Sequence, residues 1–498
     1  MRRRDTMDTS IEGKTQNIFD PLKWGLPLDT INQLGKRLKN FWERFNCFFK
    51  TKTCDNSSYG YHYMSCLLRM KDKRNYTSIG REGGVNKQNM QHFMSNSPWE
   101  FQEIYTQIQQ EIRETKGLSK GGALLLDESA DEKAGNRSAG AGRQYNGRLG
   151  KVDMSQVGVF LAYANIKSYP LWTWVDGDLF LQEHWFTEEM ESERKRLGIP
   201  EKLKFQSKPE IGWNLIQRAK ANGLPFEITC FDDLYGRSEW LRGQLRRENL
   251  LYMADIPRST QVYITEPKLG VPAKVLGKKG KQPKRVKVLS SEKPQTVFSL
   301  SRDNDTQWHE LNIRPTERGE LRDLFAVHQV WTVYEDKAVE ELLVIRKEKN
   351  GKCNYSLCNA PSDTPLSQLA WWKCQRYFIE RANEEAKSEI GWDEFQAQKY
   401  LAWQHHLALT ILASWFIAQT QYDWAQTHER APELAQELEI DVLPRLSVAN
   451  VRSLLRAVMP LEQLNTEQAV DQVIEHLVNR TQSRKSRMKK FLKSNEST

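Results

Sequence analysis

The spacing of apolar and polar residues along the chain changes character several times. Phe101, Ile104, Ile108 and Ile112 recur every three or four residues, which predicts one buried helix face carried to about Lys116. Ser97 reads as its N-cap, Pro98 as its first helical position and Glu100 as the partner in a capping box. Past Gly121 the period shortens. Ala123-Leu124-Leu125-Leu126 is an apolar run suited to a buried strand, ending at Asp127. Val157 to Ala164 predicts a second strand and Leu171 to Val175 a third, closed by the turn-prone Asp176-Gly177-Asp178. A charged helical stretch, with Trp213 and Ile216 on one face, then runs to Ala221 and breaks at Asn222-Gly223. Pro225 to Phe231 forms a fourth strand ending at Asp232-Asp233, followed by a helix from Arg237 to Asn249 and a fifth strand from Leu251 to Ile256.

Strands first and then alternating helix and strand predict an α/β fold. The next hundred residues differ: Gln261 to Ile264, Val297 to Leu300, Val327 to Tyr334 and Leu342 to Arg346 are short β-type runs between basic and polar loops. They read as a β-rich insertion. From Leu366 to Gln419 the chain is helical again, and from Val442 it is helix followed by a basic tail. The resulting division is 1–63 as a disordered or extended start, 64–119 helical, 120–260 the first part of the core, 261–365 the insertion, 366–420 its helical end, and 421–498 a helical C-terminal region.

Charge and cysteine content narrow the function. The net charge is +9, and the basic residues bunch between Lys268 and Lys287 and again from Arg480 to Lys493, which suits a polyanionic partner or two solvated loops. Seven scattered cysteines form no CxxC pair, so neither a zinc site nor a disulfide framework is expected and a reducing cytosol is. The apolar stretch Leu407 to Ala418 is too short to cross a bilayer, and Met1-Arg2-Arg3-Arg4 leads into polar residues rather than a signal sequence. A soluble, cytoplasmic protein without membrane association is expected.

Carboxylates at strand ends suit two-metal phosphoryl chemistry, in which about three of them converge on two divalent ions. Asp127 and Asp232 are such residues, but Glu128, Asp176, Asp178 and Asp233 compete, and strand alternation does not choose between Asp232 and Asp233. On the later helix, Arg376, Glu380 and Lys387 share one face with Lys373 and Glu384; spacing alone also allows a solvated charged face, and Glu384, Glu385 and Glu389 are rival carboxylates.

Taken in order, several blocks resemble the insertion-sequence DDE transposases of family 701, relatives of the group-four insertion sequences. The first is Leu126-Asp127-Glu128-Ser129 with Arg143-Gln144-Tyr145-Asn146-Gly147, and Trp174-Val175-Asp176-Gly177-Asp178-Leu179 follows. The second is Asp232-Asp233-Leu234-Tyr235-Gly236, where the distance to the Tyr-Gly pair selects Asp232. The third places Lys373, Arg376, Glu380 and Lys387 at the family's Tyr, Arg, Glu and Lys spacing, with Lys373 departing from Tyr. The likeness covers roughly residues 64 to 420. It implies an RNase H-like catalytic core with a β-rich insertion, flanked by helical N- and C-terminal regions. It also implies that Asp127, Asp232 and Glu380 hold two Mg ions, or Mn in their place, for DNA cleavage and strand transfer. Arg376, Lys387 and Lys373 would then contact DNA, helped by Lys278, Lys279, Lys284 and Arg285 in the basic loop and by the helical region 64–119. The implied partners are the transposon's terminal inverted repeats, target DNA and a second copy in an active homodimer, with the enzyme on the nucleoid when bound. Two other classes compete: a catalytically silent DNA-binding derivative, and a hydrolase such as a glycosidase that needs two carboxylates and no metal.

Overall fold

The computed structural model describes residues 20–147, 149–167, 170–273, 284–316, 319–440 and 443–460, with single positions 474, 481, 484, 485 and 488 beyond them. Six strands build the first half of its main sheet: β1 (Ala123–Glu132), β2 (Gly142–Asn146), β3 (Lys151–Asn165), β4 (Leu171–Phe180), β5 (Ile228–Phe231) and β6 (Tyr252–Ile256). The apolar start of β1 is fully buried and pairs antiparallel with β3 and parallel with β5, which in turn runs parallel to β6. Every residue of β5 is buried, as expected of a parallel strand covered on both faces. β3 is long enough to pair with β2 at its start and β4 over the rest.

The β-rich segment continues this sheet. Its strands β7 (His309–Thr316), β8 (Gly319–Tyr334), β9 (Lys337–Lys347) and β10 (Cys353–Cys358) give the order β7-β8-β9-β10-β6-β5-β1-β3, because β10 pairs antiparallel with β6. One face of the added strands has an apolar cluster that includes Val262, Val297, Ala326, Val330, Leu343 and Leu357.

Helices flank the sheet. In α1 (Phe101–Glu114), Ile104, Ile108 and Ile112 are buried as their spacing requires. Its expected cap is different: Glu100 is the N-cap without a side-chain bond, and Ser97 is buried, its hydroxyl accepting from Asn56 Nδ2 at 3.0 Å. Packing of Trp99 against His405, with ring centroids 3.8 Å apart, draws that segment inward and overrides the local capping signal. α2 (Lys208–Ala221) starts from a Ser207/Glu210 capping box and lies close on β1, where a Cβ at Gly212 would come within 2.5 Å of Leu126. α3 (Tyr377–Glu385) and α4 (Tyr400–Thr427) are separate, because a π-turn over Ala386–Ile390 and the left-handed Gly391 break the expected continuous helix. Among the described residues, no helix is long and apolar enough to cross a membrane.

Three further expectations change. β1 runs on to Glu132, so Asp127 lies within the strand and not at its end. Asp176-Gly177-Asp178 is no turn: β4 stays paired with β3 through it, past a register shift beside Leu161/Ala162. Arg218 on α2 reaches Asp176 at 2.8 Å and compensates the buried acid, so strand pairing prevails over turn propensity. Val297–Leu300 is a short helix capped by Thr296, its apolar residues meeting the β-rich core from outside the sheet.

Candidate active site

The parallel pairing of β1 with β5 brings the first two acids together. Leu126 is in register with Phe231, so Asp127 and Asp232 follow at the next step on neighbouring strands. Asp232 then caps the short helix Asp233–Gly236, its Oδ1 accepting from the backbone N–H of Leu234 at 3.0 Å and of Tyr235 at 3.4 Å. The cap fixes this carboxylate toward β1. Asp233 instead pairs with Arg237 on the helix surface.

Asp127, Glu128 and Asp232 each offer a carboxylate oxygen, and these lie within 4.8 Å of one another. Burial, then the neighbouring Asp232 and Glu128, push the Asp127 carboxyl well above its ordinary range, against the pull of Arg376. Burial and then Glu128 push Asp232 up to about 6. Glu128 accepts from Lys208 Nζ at 3.1 Å through one oxygen, while its other oxygen is buried without a hydrogen-bond partner. Hard oxygen donors crowded at the cost of mutual repulsion, one of them unsatisfied, match what a divalent cation requires. The residues therefore fit a divalent metal.

Facing this cluster is α3. Asn383 Nδ2 lies 3.4 Å from Asp127 Oδ2, and its own Oδ1 accepts from Trp174 Nε1 at 2.9 Å. Glu380 stands three residues earlier on the same face. It lies outside the three-carboxylate group, its side chain about half exposed and paired with Arg376 at 2.6 Å. Arg376 Nε also binds Asp255 at 3.0 Å, at the end of β6. Burial would lower its pKa, but Asp255, Glu380, Asp127 and Asp232 together hold it raised and the guanidinium charged.

A sequence profile of DDE superfamily endonucleases matches residues 47–320, more than half of the chain and a span that includes Asp127 and Asp232. The chain belongs to the DDE superfamily endonucleases. Members of this family use divalent metals, in keeping with the carboxylate cluster. A protein of Microchaete diplosiphon named as a probable transposase for insertion sequence element IS701 is 27% identical over 349 residues, 69% of this chain and 77% of the relative.

In this DDE endonuclease the remaining expected residues have varied positions. Lys387 Nζ donates to the carbonyl of Ala130 at 3.0 Å, three residues along β1 from Asp127. Lys373 is buried, its ammonium held by Asp255 at 3.0 Å and by the Ser356 hydroxyl, so its charge faces the paired strands β6 and β10 inside the sheet and not solvent. Lys284 and Arg285 are exposed, while Lys278 and Lys279 lie outside the described residues. The rival acids are engaged elsewhere: Glu384 and Glu385 with Arg381, Glu389 with Arg452, and Asp176 and Asp178 with Arg218. His405 and His406 are buried among aromatic rings, His405 on Trp99 and His406 on Trp392 and Phe395. Sequence reasoning did not single out Asn383 or Asp255. Asn383 had a usable signal, since it lies one turn beyond Glu380 on the helix facing β1.

Proposed function

We propose that this DDE endonuclease is the transposase of an insertion sequence, cutting the ends of its element and joining them to target DNA. The observation that carries the proposal is the cluster of Asp127, Glu128 and Asp232 at the junction of β1 and β5 in a chain of this family. The sheet order β4-β3-β1-β5-β6, three antiparallel strands followed by two parallel ones, supports an RNase H-like core.

Asp127 and Asp232 would hold Mg, or Mn in its place, with Glu380 as the third catalytic carboxylate. Two such ions, when bound, activate the attacking oxygen and neutralise the leaving one. Glu380 is favoured by its place on α3, which touches β1 through Asn383, while Lys387 in the π-turn that follows reaches the same strand. Turning from Arg376 toward the cluster would free that guanidinium, whose planar fork suits a phosphate. Asp255 keeps Arg376 beside the acids by holding Nε. Lys387, bound to the backbone of β1, sets the helix against the strand, and Lys373 acts through Asp255 and not on DNA. Lys284 and Arg285 remain candidates for salt-sensitive phosphate contact. A homodimer acting on two terminal inverted repeats, associated with the nucleoid while bound, completes the proposal.

The test is cleavage of a duplex carrying the element's end, with Mg, by the parent and by Glu380→Gln. The proposal expects loss of cleavage in the variant and in chelator. Cleavage at the parent rate by Glu380→Gln would remove Glu380 from the site, and no metal-dependent cleavage by the parent would favour a silent DNA-binding derivative.

A further inference from the structure

Among the described residues, the cluster of Asp127, Glu128 and Asp232 carries a direct ion pair only at Glu128, and the chemistry set out above gives that pair no part. Lys208 Nζ donates to Glu128 Oε1 at 3.1 Å. Arg376 acts on Asp127 and Asp232 but is itself held by Asp255 and Glu380. Tyr235 adds no charge. Its hydroxyl is buried without a hydrogen-bond partner, and burial, then Glu128, Asp127 and Asp232, push the phenol well above its usual range. A neutral phenol cannot offset three carboxylates, which leaves Lys208 as the counter-ion in contact with them.

Lys208 stands where its own helix does not favour it. It is the first residue of α2, at the end where backbone N–H groups present partial positive charge. The Ser207/Glu210 capping box fixes the helix start without the Lys208 side chain, so the ammonium owes its place to Glu128 on β1. The hold is a single contact. The other oxygen of Glu128 is buried and unpartnered, and the ammonium also lies 5.6 Å from the centre of the Phe180 ring. A point charge on a flexible four-carbon stem can leave such a partner without disturbing the helix.

The approach to α2 shows where the ammonium would go. Lys202 and Lys204 are exposed in the segment before the helix, and neither has an ion pair among the described residues. Phe205 beside them is exposed as well. Lys202, Lys204 and Lys208 thus form a short run of cations that ends at the carboxylates, a track suited to a phosphate backbone. An ammonium on Glu128 also repels a divalent ion and occupies an oxygen that the ion would use. A phosphate that draws Lys208 away opens Glu128 to the ion, and an ion that displaces Lys208 releases it to the phosphate. Such coupling is reciprocal.

We propose that Lys208 is a built-in counter-ion of the metal site, which leaves Glu128 for a DNA phosphate as a divalent ion takes its place. The identity of the phosphate rests on the transposase reading, whereas the competition at Glu128 does not. The first test uses the full-length chain without DNA. Calorimetric titration with Mn compares the parent, Lys208→Met, Glu128→Gln and the double variant. Lys208→Met should tighten Mn binding by about tenfold, and the gain should vanish where Glu128 is already Gln. Unchanged or weaker binding would overturn the proposal, as would an equal gain in the Glu128→Gln background, the mark of a general field effect. Should Lys208→Met fail to fold, Lys208→Gln serves the same comparison. The second test is anisotropy of a labelled mixed-sequence duplex with and without Ca, a hard ion with the same oxygen preference, and a gel checks that the duplex stays intact. Ca should strengthen duplex binding about fivefold more for the parent than for Lys208→Met, and equal strengthening would overturn the proposal. Cleavage of a duplex carrying the element's end in Mg is scored separately: both effects without cleavage defeat the transposase reading alone, and cleavage with neither effect defeats this proposal alone.

Discussion

Replacing Asp255 by asparagine removes the carboxylate that Lys373 and Arg376 share. Burial by itself would raise the Asp255 pKa, but Lys373 and Arg376 hold it below the ordinary value, so it is charged in the folded protein. The side chain of Lys373 is 3% exposed and that of Asp255 is 24% exposed. After the change, Lys373 keeps the Ser356 hydroxyl but has no other ion pair among the described residues. Breaking a buried pair from one side costs about 3–5 kcal/mol, because the remaining charge stays out of water. The partial opening of Asp255 and the surviving hydroxyl place this case near the lower end, at about 3 kcal/mol. Arg376 adds little, being more exposed and still paired with Glu380. The assay is urea unfolding followed by tryptophan fluorescence, read as a lower midpoint at unchanged slope. Lys373→Met and the double variant complete a cycle. A coupling of about 2 kcal/mol is expected, since Met removes the stranded charge, and single effects that add to within ~0.5 kcal/mol would refute the reasoning.

Other predictions follow from the same geometry. Glu128→Gln should weaken divalent-ion binding by at least about tenfold in calorimetric titration with Mn; an unchanged affinity would make Glu128 a bystander. Glu380→Gln should lower the single-turnover cleavage rate by about 100-fold or more, the scale expected for losing one electrostatic group at a reacting phosphate. His405 and His406 are each pushed down to about 3 by burial, with Met94, Trp99 and Phe101 around the first and Tyr63, Trp392, Phe395 and Lys133 around the second. Both folded values lie below the unfolded value near 6.5, so the unfolded chain takes up protons first. Stability is whole above that pH and falls as pH drops from it toward 3, by about 1.4 kcal/mol per unit for each ring. His405→Phe should flatten the pH dependence of the urea midpoint by that amount, and an identical slope would contradict the assignment. Duplex binding should weaken linearly in log–log plots against salt, with a smaller slope in a Lys284→Ala/Arg285→Ala variant; equal slopes would exclude those two side chains from phosphate contact.

What could be read from the sequence is what local chemistry controls. The apolar run before Asp127, the helical spacing through Ile104, Ile108 and Ile112, and the Arg376–Glu380 relation all appear in the structure, because each depends on neighbours within a turn or a strand. The family likeness added Asp127 and Asp232 as a pair, and their adjacency follows once β1 lies beside β5. Strand pairing between distant segments decided the rest. It carried β1 past Asp127 and brought Glu128 into the cluster. It also kept Asp176-Gly177-Asp178 extended beside β3, and joined β10 to β6 so that the β-rich segment extends the sheet. The charged stripe on the later helix shows the limit most clearly. At the level of spacing, Lys373 and Glu380 are equivalent members of one face, yet β6 and β10 cover Lys373 while Glu380 stays half open. Periodicity states which residues share a side of a helix, and only the tertiary packing states what that side meets.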